Sequence, residues 1–251
     1  MKGTTPEGAR SEQEAATWVR GMFGRVAHRY DLANHLLSAN IDRLWRARTV
    51  ARVRDILRRP GARVMDLACG TGDLLVALER DAHRALLGSD FCHPMLAGAK
   101  SKLARLGLKS TLVEADALAL PLPDASLDLI TIAFGFRNLA NYEAGLREFA
   151  RVLKPGGQIG ILDFSEPGGL MGKAYGFYFR HILPTIGRIF TGPSAPGEVC
   201  AYSYLPASVQ KFPSPPEMLR MMHDCGYVDC TWRPYTFGIA GLYSGVRAPN
   251  H

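Results

Sequence analysis

Short apolar runs alternate with helically spaced segments between residues 63 and 164. Val64–Leu67 has the pattern of a buried strand, and apolar residues then recur at helical spacing over Asp73–Arg80. The unit repeats with a strand at Ala85–Gly88 running into Ser89-Asp90, and a helix at Pro94–Leu106 with its proline in the first turn. Strands follow at Ser110–Glu114 and Leu127–Ala133, the latter apolar apart from Asp128 and Thr131, as suits a strand covered on both faces. A helix at Tyr142–Leu153 stops at Lys154-Pro155-Gly156-Gly157, and Ile159–Phe164 is a fifth strand. Glu217–Cys225 reads as a further helix, with Tyr227–Arg233 and Tyr235–Gly245 as two closing strands. The pattern predicts an α/β fold with a doubly wound, mostly parallel, seven-stranded sheet.

Two regions depart from that rhythm. Residues 1–60 read as a helical N-terminal extension to a main domain spanning 61–251. Ser11 and Glu14 have capping-box spacing, so a helix is expected from about residue 12. Gly21–Gly24 separates it from Val26–Tyr30, and Asp31 is a candidate N-cap for Leu32–Ser38. From Ile41 the positions Leu44, Trp45, Val53, Ile56 and Leu57 keep helical spacing until Pro60-Gly61. The second region, about 168–206, mixes Lys173, Tyr175, Phe177, Tyr178, Phe179 and Arg180, and reads as short helices inserted beside the sheet. Its aromatics fit a groove for a long apolar ligand and plain core equally well.

At 251 residues and 47% hydrophobic, the chain can bury one sizeable core. No run reaches the ~18 apolar residues of a membrane-spanning helix, and Met1–Arg20 lacks the apolar centre of a secretory signal. Five cysteines without ligand spacing fit reduced thiols in a cytoplasmic protein, and Cys225 and Cys230 are too far apart for half of a zinc knuckle, so no metal is expected. The formal charge of +7 admits nucleic acid, anionic lipid or neither. Arg43, Arg46, Arg48, Arg52, Arg54, Arg58 and Arg59 crowd one helix but circle it, the pattern of a solvated face, with a membrane-surface role as the sharper alternative.

Candidate chemistry gathers at the strand ends. Cys69-Gly70-Thr71-Gly72 is a tight strand-to-helix turn where a ligand can approach the backbone closely. Ligands of open parallel sheets bind beyond the carboxyl ends of the strands. There stand Asp66, Asp73, Asp90 and Asp116. A dinucleotide would place its pyrophosphate at the helix N-terminus, where Asp73 supplies a carboxylate, and the third glycine of that fingerprint is Leu75. S-adenosylmethionine carries a sulfonium and an ammonium but no phosphate, so a carboxylate rim suits it. Asp90 is placed to accept the ribose hydroxyls and Asp116 to reach the adenine amino group, although a lone Asp at such a position is more often a helix cap.

Three further stretches give the chain a family likeness. Tyr30-Asp31-Leu32-Ala33-Asn34-His35-Leu36-Leu37-Ser38 with Trp45, Phe134-Gly135-Phe136-Arg137-Asn138-Leu139, and Arg151–Gly157 running on to Asp163-Phe164-Ser165 resemble elements of the ubiquinone/menaquinone biosynthesis C-methyltransferases. The tail, with Tyr204-Leu205-Pro206 and Phe212-Pro213, follows the same family, and the resemblance runs from about Met22 to Gly245. Ala33, Asp42 and Asp163 stand where that family usually has Met, His and Glu. The resemblance implies a class I, Rossmann-like methyltransferase in which Thr71, Asp90 and the Asp116-Ala117 pair contact S-adenosylmethionine. It implies methylation of a ring carbon of a prenylated quinol, demethylmenaquinol before its benzoquinol counterpart. Other lipophilic rings and nucleic acid are the rival substrates; the fourth strand lacks the Pro-Pro motif of exocyclic-amine methylation, so no nucleic-acid partner is expected. Contact with the inner membrane face and association of copies stay open.

On that reading Arg137 either steadies a developing phenolate, directly or through a water, or is a structural ion-pair partner. Asn138 orients the ring. Tyr30 either closes over the cofactor as part of a helical lid or packs at the core's rim.

Overall fold

The computed structural model describes residues 8–37, 40–165 and 201–249, and with them residues 3, 4, 6 and 167. Seven strands form one sheet: β1 (Val64–Leu67), β2 (Leu87–Asp90), β3 (Thr111–Glu114), β4 (Leu127–Ala133), β5 (Leu153–Phe164), β6 (Tyr227–Tyr235) and β7 (Ala240–Arg247), in the order β3-β2-β1-β4-β5-β7-β6. The first five run parallel, and β7 lies antiparallel to both β5 and β6. Seven α-helices are present among the described residues: α1 (Glu12–Leu37), α2 (Ile41–Leu57), α3 (Asp73–Ala82), α4 (His93–Arg105), α5 (Tyr142–Val152), α6 (Ala201–Gln210) and α7 (Pro215–Asp224). Most of the 168–206 region, including Lys173, Tyr175, Phe177, Tyr178, Phe179 and Arg180, lies outside the described residues. No helix among the described residues is long and apolar enough to cross a membrane.

Alternation along the strands builds a core on each face. Met65, Leu67, Ile130 and Ile132 meet Leu146 and Phe149 of α5 and Met218 and Met222 of α7. Val64 and Leu129, one position out of phase, meet Val53 and Leu57 of α2 and Leu75 and Leu78 of α3 on the other face.

Three expectations are corrected. The first helix does not break at Gly21–Gly24 or Asp31; α1 is continuous through Leu37. An interior glycine costs a helix only about 1 kcal/mol, and packing outweighs it here: Val19 and Met22 of α1 are fully buried against Tyr204. The closing strands divide differently, β6 running on to Tyr235 and β7 starting at Ala240 after the turn at Thr236–Gly238. The fifth strand starts at Leu153, which pairs with Leu127 before the chain turns through Gly156 at φ +77° and resumes with Gln158 opposite Leu129.

Strand order reverses between β1 and β4, and two turns cross closely there. Ala68 after β1 and Phe134 after β4 both adopt left-handed backbone, with φ +48° and +60°. A Cβ on Gly135 would lie 2.5 Å from the Ala68 Cβ. Only glycine lets the two turns cross this closely. Strain of this kind gathers at ligand sites.

Candidate active site

The crossing turns floor a cleft of about 1040 Å³, part of it open to solvent. Asp66, Gly70, Thr71, Asp90, Asp116 and Ala117 line it together, joined by Phe134 and Asn138 from the second turn and by Ala16 and Phe23 from α1. Gly72 sits just behind, at φ +86°, as the residue before α3. A Cβ there would come within 3.3 Å of Ala99, so this glycine seats α3 against α4.

Asp66 is the least solvated carboxylate of the group. Thr131, its register partner on β4, donates to Oδ1 at 2.7 Å. The other oxygen is buried with no hydrogen-bond partner among the described residues. Burial pushes the Asp66 pKa up to about 7, against the pull of the Thr131 hydroxyl and the nearby Arg46 guanidinium. Burial likewise raises Asp90 to about 6, even though the amides of Gly70 and Cys92 donate to its two oxygens at 2.8 and 2.9 Å. A carboxylate has about four acceptor sites, so both oxygens of Asp90 keep capacity for hydroxyl groups. Burial and the two carboxylates push the Cys69 thiol well up, which keeps it protonated. Two acids that ionise only at a cost are suited to a ligand that brings positive charge. The orphaned Asp66 oxygen and the capacity left on Asp90 fit a cationic nucleoside.

Asp116 is exposed, and its Oδ1 accepts the Leu118 amide at 2.9 Å in a local turn. The capping geometry and the place on the cleft rim therefore coexist at this residue. Asp73 is less free than its position suggests: Lys102 Nζ lies 2.6 Å away and Arg46 Nη2 3.7 Å. With its charge balanced, Asp73 does not by itself turn away an anion, and the case for a cation rests on Asp66 and Asp90.

The second turn places its two candidates differently. Asn138 faces the cleft; its Oδ1 accepts the Tyr204 hydroxyl at 3.2 Å, and its Nδ2 lies 3.4 Å from the Phe134 carbonyl. Arg137 is buried behind the turn and does not line the cleft. Its Nη1 donates to Asp163 Oδ1 at 2.7 Å and to the Phe134 carbonyl at 2.5 Å, and its amide donates to Asp163 Oδ2 at 3.0 Å. The guanidinium also lies over the Phe164 ring, 5.2 Å from its centroid. Asp163, where the resemblance leads one to expect Glu, accepts both the guanidinium and the amide of Arg137 with the shorter side chain. Tyr30 is on α1, seven residues beyond Phe23; its side chain lies outside the described residues.

Sequence reasoning passed over two residues. Arg46, grouped with the solvated arginines, is buried, lines the cleft, bonds Asp42 and lies over the Phe134 ring, 5.3 Å from its centroid. The Asp42–Arg46 spacing of i, i+4 was a readable signal. Tyr204 reaches Asn138 and sits 2.6 Å from Thr4 Oγ1, a contact spanning 200 residues that no local pattern announces.

Solved structures share the fold at low identity. Magnesium protoporphyrin IX methyltransferase from Synechocystis, with bound S-adenosylhomocysteine, has a TM-score of 0.61 at 17% identity, covering 93% of this chain and 100% of that one. The 4+2 cyclase SpnF has a TM-score of 0.68 at 14% identity, covering all of both chains. A fold shared with a cyclase leaves the reaction open. Sequence relatives are closer. Demethylmenaquinone methyltransferase of Deinococcus radiodurans is 43% identical, over 94% of this chain and 95% of its own. The Thermus thermophilus protein of the same name is 44% identical, over 90% and 100%. Ubiquinone/menaquinone biosynthesis C-methyltransferase UbiE of Geobacter sulfurreducens is 41% identical, over 91% and 88%. The ubiE/COQ5 methyltransferase family profile matches residues 9–247. The chain belongs to that family of S-adenosylmethionine-dependent methyltransferases.

Proposed function

We propose that this enzyme moves the methyl group of S-adenosylmethionine to a ring carbon of a prenylated quinol, demethylmenaquinol in the first place. The observation that carries the site assignment is the convergence of Asp66, Asp90 and Asn138 on one cleft. The donor supplies an already electrophilic methyl on a sulfonium, so the protein's task is alignment and charge. Asp66 and Asp90 hold negative charge for the cationic nucleoside, with Thr71, Asp116 and Ala117 along its other side. The glycines at 70 and 72 keep the floor clear of side chains.

Ring-carbon attack needs electron density from the adjacent hydroxyl, whose proton is held with a phenolic pKa near ~10. Asn138, steadied by Tyr204, offers its carboxamide to that hydroxyl. Arg137 serves as a positioning residue: through Asp163 and the Phe134 carbonyl it fixes the turn that aims Asn138. We assign α1 as the cover of the cleft, because Ala16, Phe23 and Tyr30 recur every seven residues along it and the first two line the cleft. The ring preference follows the demethylmenaquinone methyltransferases among the relatives. Incubation with isotopically labelled donor and either demethylmenaquinol or its benzoquinol counterpart, read by mass spectrometry, tests both points. Methyl transfer to neither quinol would overturn the assignment.

A further inference from the structure

The turn Thr236–Gly238 between β6 and β7 does not serve the cleft, yet it is held under strain. Thr236 and Phe237 both have left-handed backbone, with φ +45° and +58°. This conformation is unfavourable for any residue with a Cβ and most of all for branched and bulky ones. Even so, Phe237 is 78% exposed. The turn is pinned on both sides: Trp45 Nε1 donates to Thr236 Oγ1 at 2.8 Å, and Ser165 Oγ donates to the Gly238 carbonyl at 2.7 Å. The backbone is thus fastened in a costly shape whose result is a phenylalanine held out in water.

The surroundings are apolar and basic. Through Trp45 the turn lies against the first turns of α2, where Ile41 and Leu44 are exposed. Arg48 completes their helical stripe and lies over the Tyr235 ring, 5.9 Å from its centroid. Arg233, exposed, shares Tyr235's face of β6 two residues back. Inward, Trp45 packs on Phe134 and Phe164 at 6.0 Å, so one aromatic cluster runs from the cleft wall to this turn.

We infer that Phe237, with Ile41, Leu44, Arg48 and Arg233, is the face by which this protein docks on an anionic lipid surface. The aromatic wedge enters the interface while the guanidinium groups meet the headgroups. The inference draws its purpose from the quinol reading, since a polyprenyl tail resides in lipid, but its test needs no substrate.

Flotation of the full chain with phosphatidylcholine vesicles, with and without phosphatidylglycerol, should show binding to the anionic vesicles that high salt releases. Phe237→Gly should lower that partition roughly tenfold. Its melting midpoint should stay level or rise, because glycine relieves the left-handed strain, so weaker binding could not be blamed on unfolding. Arg48→Glu with Arg233→Glu should abolish the preference for anionic lipid. Methylation of a short-tailed soluble quinol should be unchanged in both variants. Absence of wild-type binding to anionic vesicles, or equal partition of the Phe237→Gly protein, would overturn the proposal. A self-association of the free chain that Phe237→Gly abolishes, without any change at vesicles, would give this face to a second copy instead and overturn it too.

Discussion

The Arg137–Asp163 pair lets a positioning role be separated from a direct one. Both side chains are almost wholly buried, and Asp163 also accepts the amides of Arg137 and Phe164. Arg137→Met leaves a carboxylate buried without its partner, a change worth about 3–5 kcal/mol. For a chain of this size each kcal/mol moves the melting midpoint by roughly 2–4 °C, so a fall of about 6–20 °C is expected. Combining Arg137→Met with Asp163→Asn removes both charges while Asn keeps an acceptor for an amide. The double variant should regain most of the lost stability, giving a coupling of at least ~2 kcal/mol in a urea-unfolding cycle. If Arg137 acts only by holding the Phe134–Asn138 turn, turnover should follow stability: down about a hundredfold in the single variant, as misplacement by an ångström can cause, and largely recovered in the double. Donor affinity by calorimetry should move little, because neither residue lines the cleft. A double variant that is stable, binds donor normally and still does not turn over would refute the positioning role and return Arg137 to direct contact with the substrate. A single variant that melts within about 2 °C of wild type would refute the energetics.

Other substitutions test the rest of the site. Asp66→Asn should weaken donor binding about ten- to a hundredfold by calorimetry, and it should change the pH profile of stability. A carboxyl whose folded pKa is raised to about 7 keeps its proton better in the native state, so the wild-type contribution declines as pH rises from about 4 to about 7 and then levels. In Asp66→Asn that decline should shrink in chemical denaturation across this range. Wild-type donor affinity should rise between pH 5.5 and 7.5 as Asp66 and Asp90 ionise; an affinity independent of pH over that window would refute their role. Gly135→Ala should cost about 1–3 kcal/mol through the clash with Ala68, with donor affinity falling alongside. Tyr204→Phe removes one hydroxyl shared by Asn138 and Thr4, and should slow turnover by about tenfold while costing only ~1 kcal/mol of stability; unchanged turnover would remove Tyr204 from the site.

The parallel sheet was legible because its cues are local. Val64–Leu67 and Leu127–Ala133 carry buried-strand patterns, and Asp66, Asp90 and Asp116 mark where strands end. The continuity of α1 was not legible, because two glycines and an aspartate look like breaks until Met22 and Val19 are seen against Tyr204. The same limit hid Arg46. Whether an arginine on a charged helix faces water or a cleft depends on what the turns after the strands present to it, here Asp73 and the ring of Phe134. Asn138 was found from its motif, while the tyrosine that steadies it comes from 66 residues away.

The electrostatics of the cleft account for the choice of ligand better than any single residue does. Asp73 stands at the mouth of the glycine turn with its charge balanced by Lys102 and Arg46, so a carboxylate at that point tells little about what binds. Asp66 and Asp90 are the informative pair, because the fold buries them and gives Asp66 less than it needs: one hydroxyl and one orphaned oxygen. Keeping such a carboxylate ionised in the free protein costs on the order of 4 kcal/mol. A cationic ligand offsets that cost, a neutral one leaves it, and an anionic one adds to it. Donor and demethylated product share the ammonium and the ribose, and only the donor adds a sulfonium, so the proposed site has one more positive charge to read in the donor. On that assignment donor should bind more tightly than product by a margin that narrows as pH falls below 7 and Asp66 takes up its proton, and equal affinities at every pH would remove Asp66 from the sulfonium's side of the cleft.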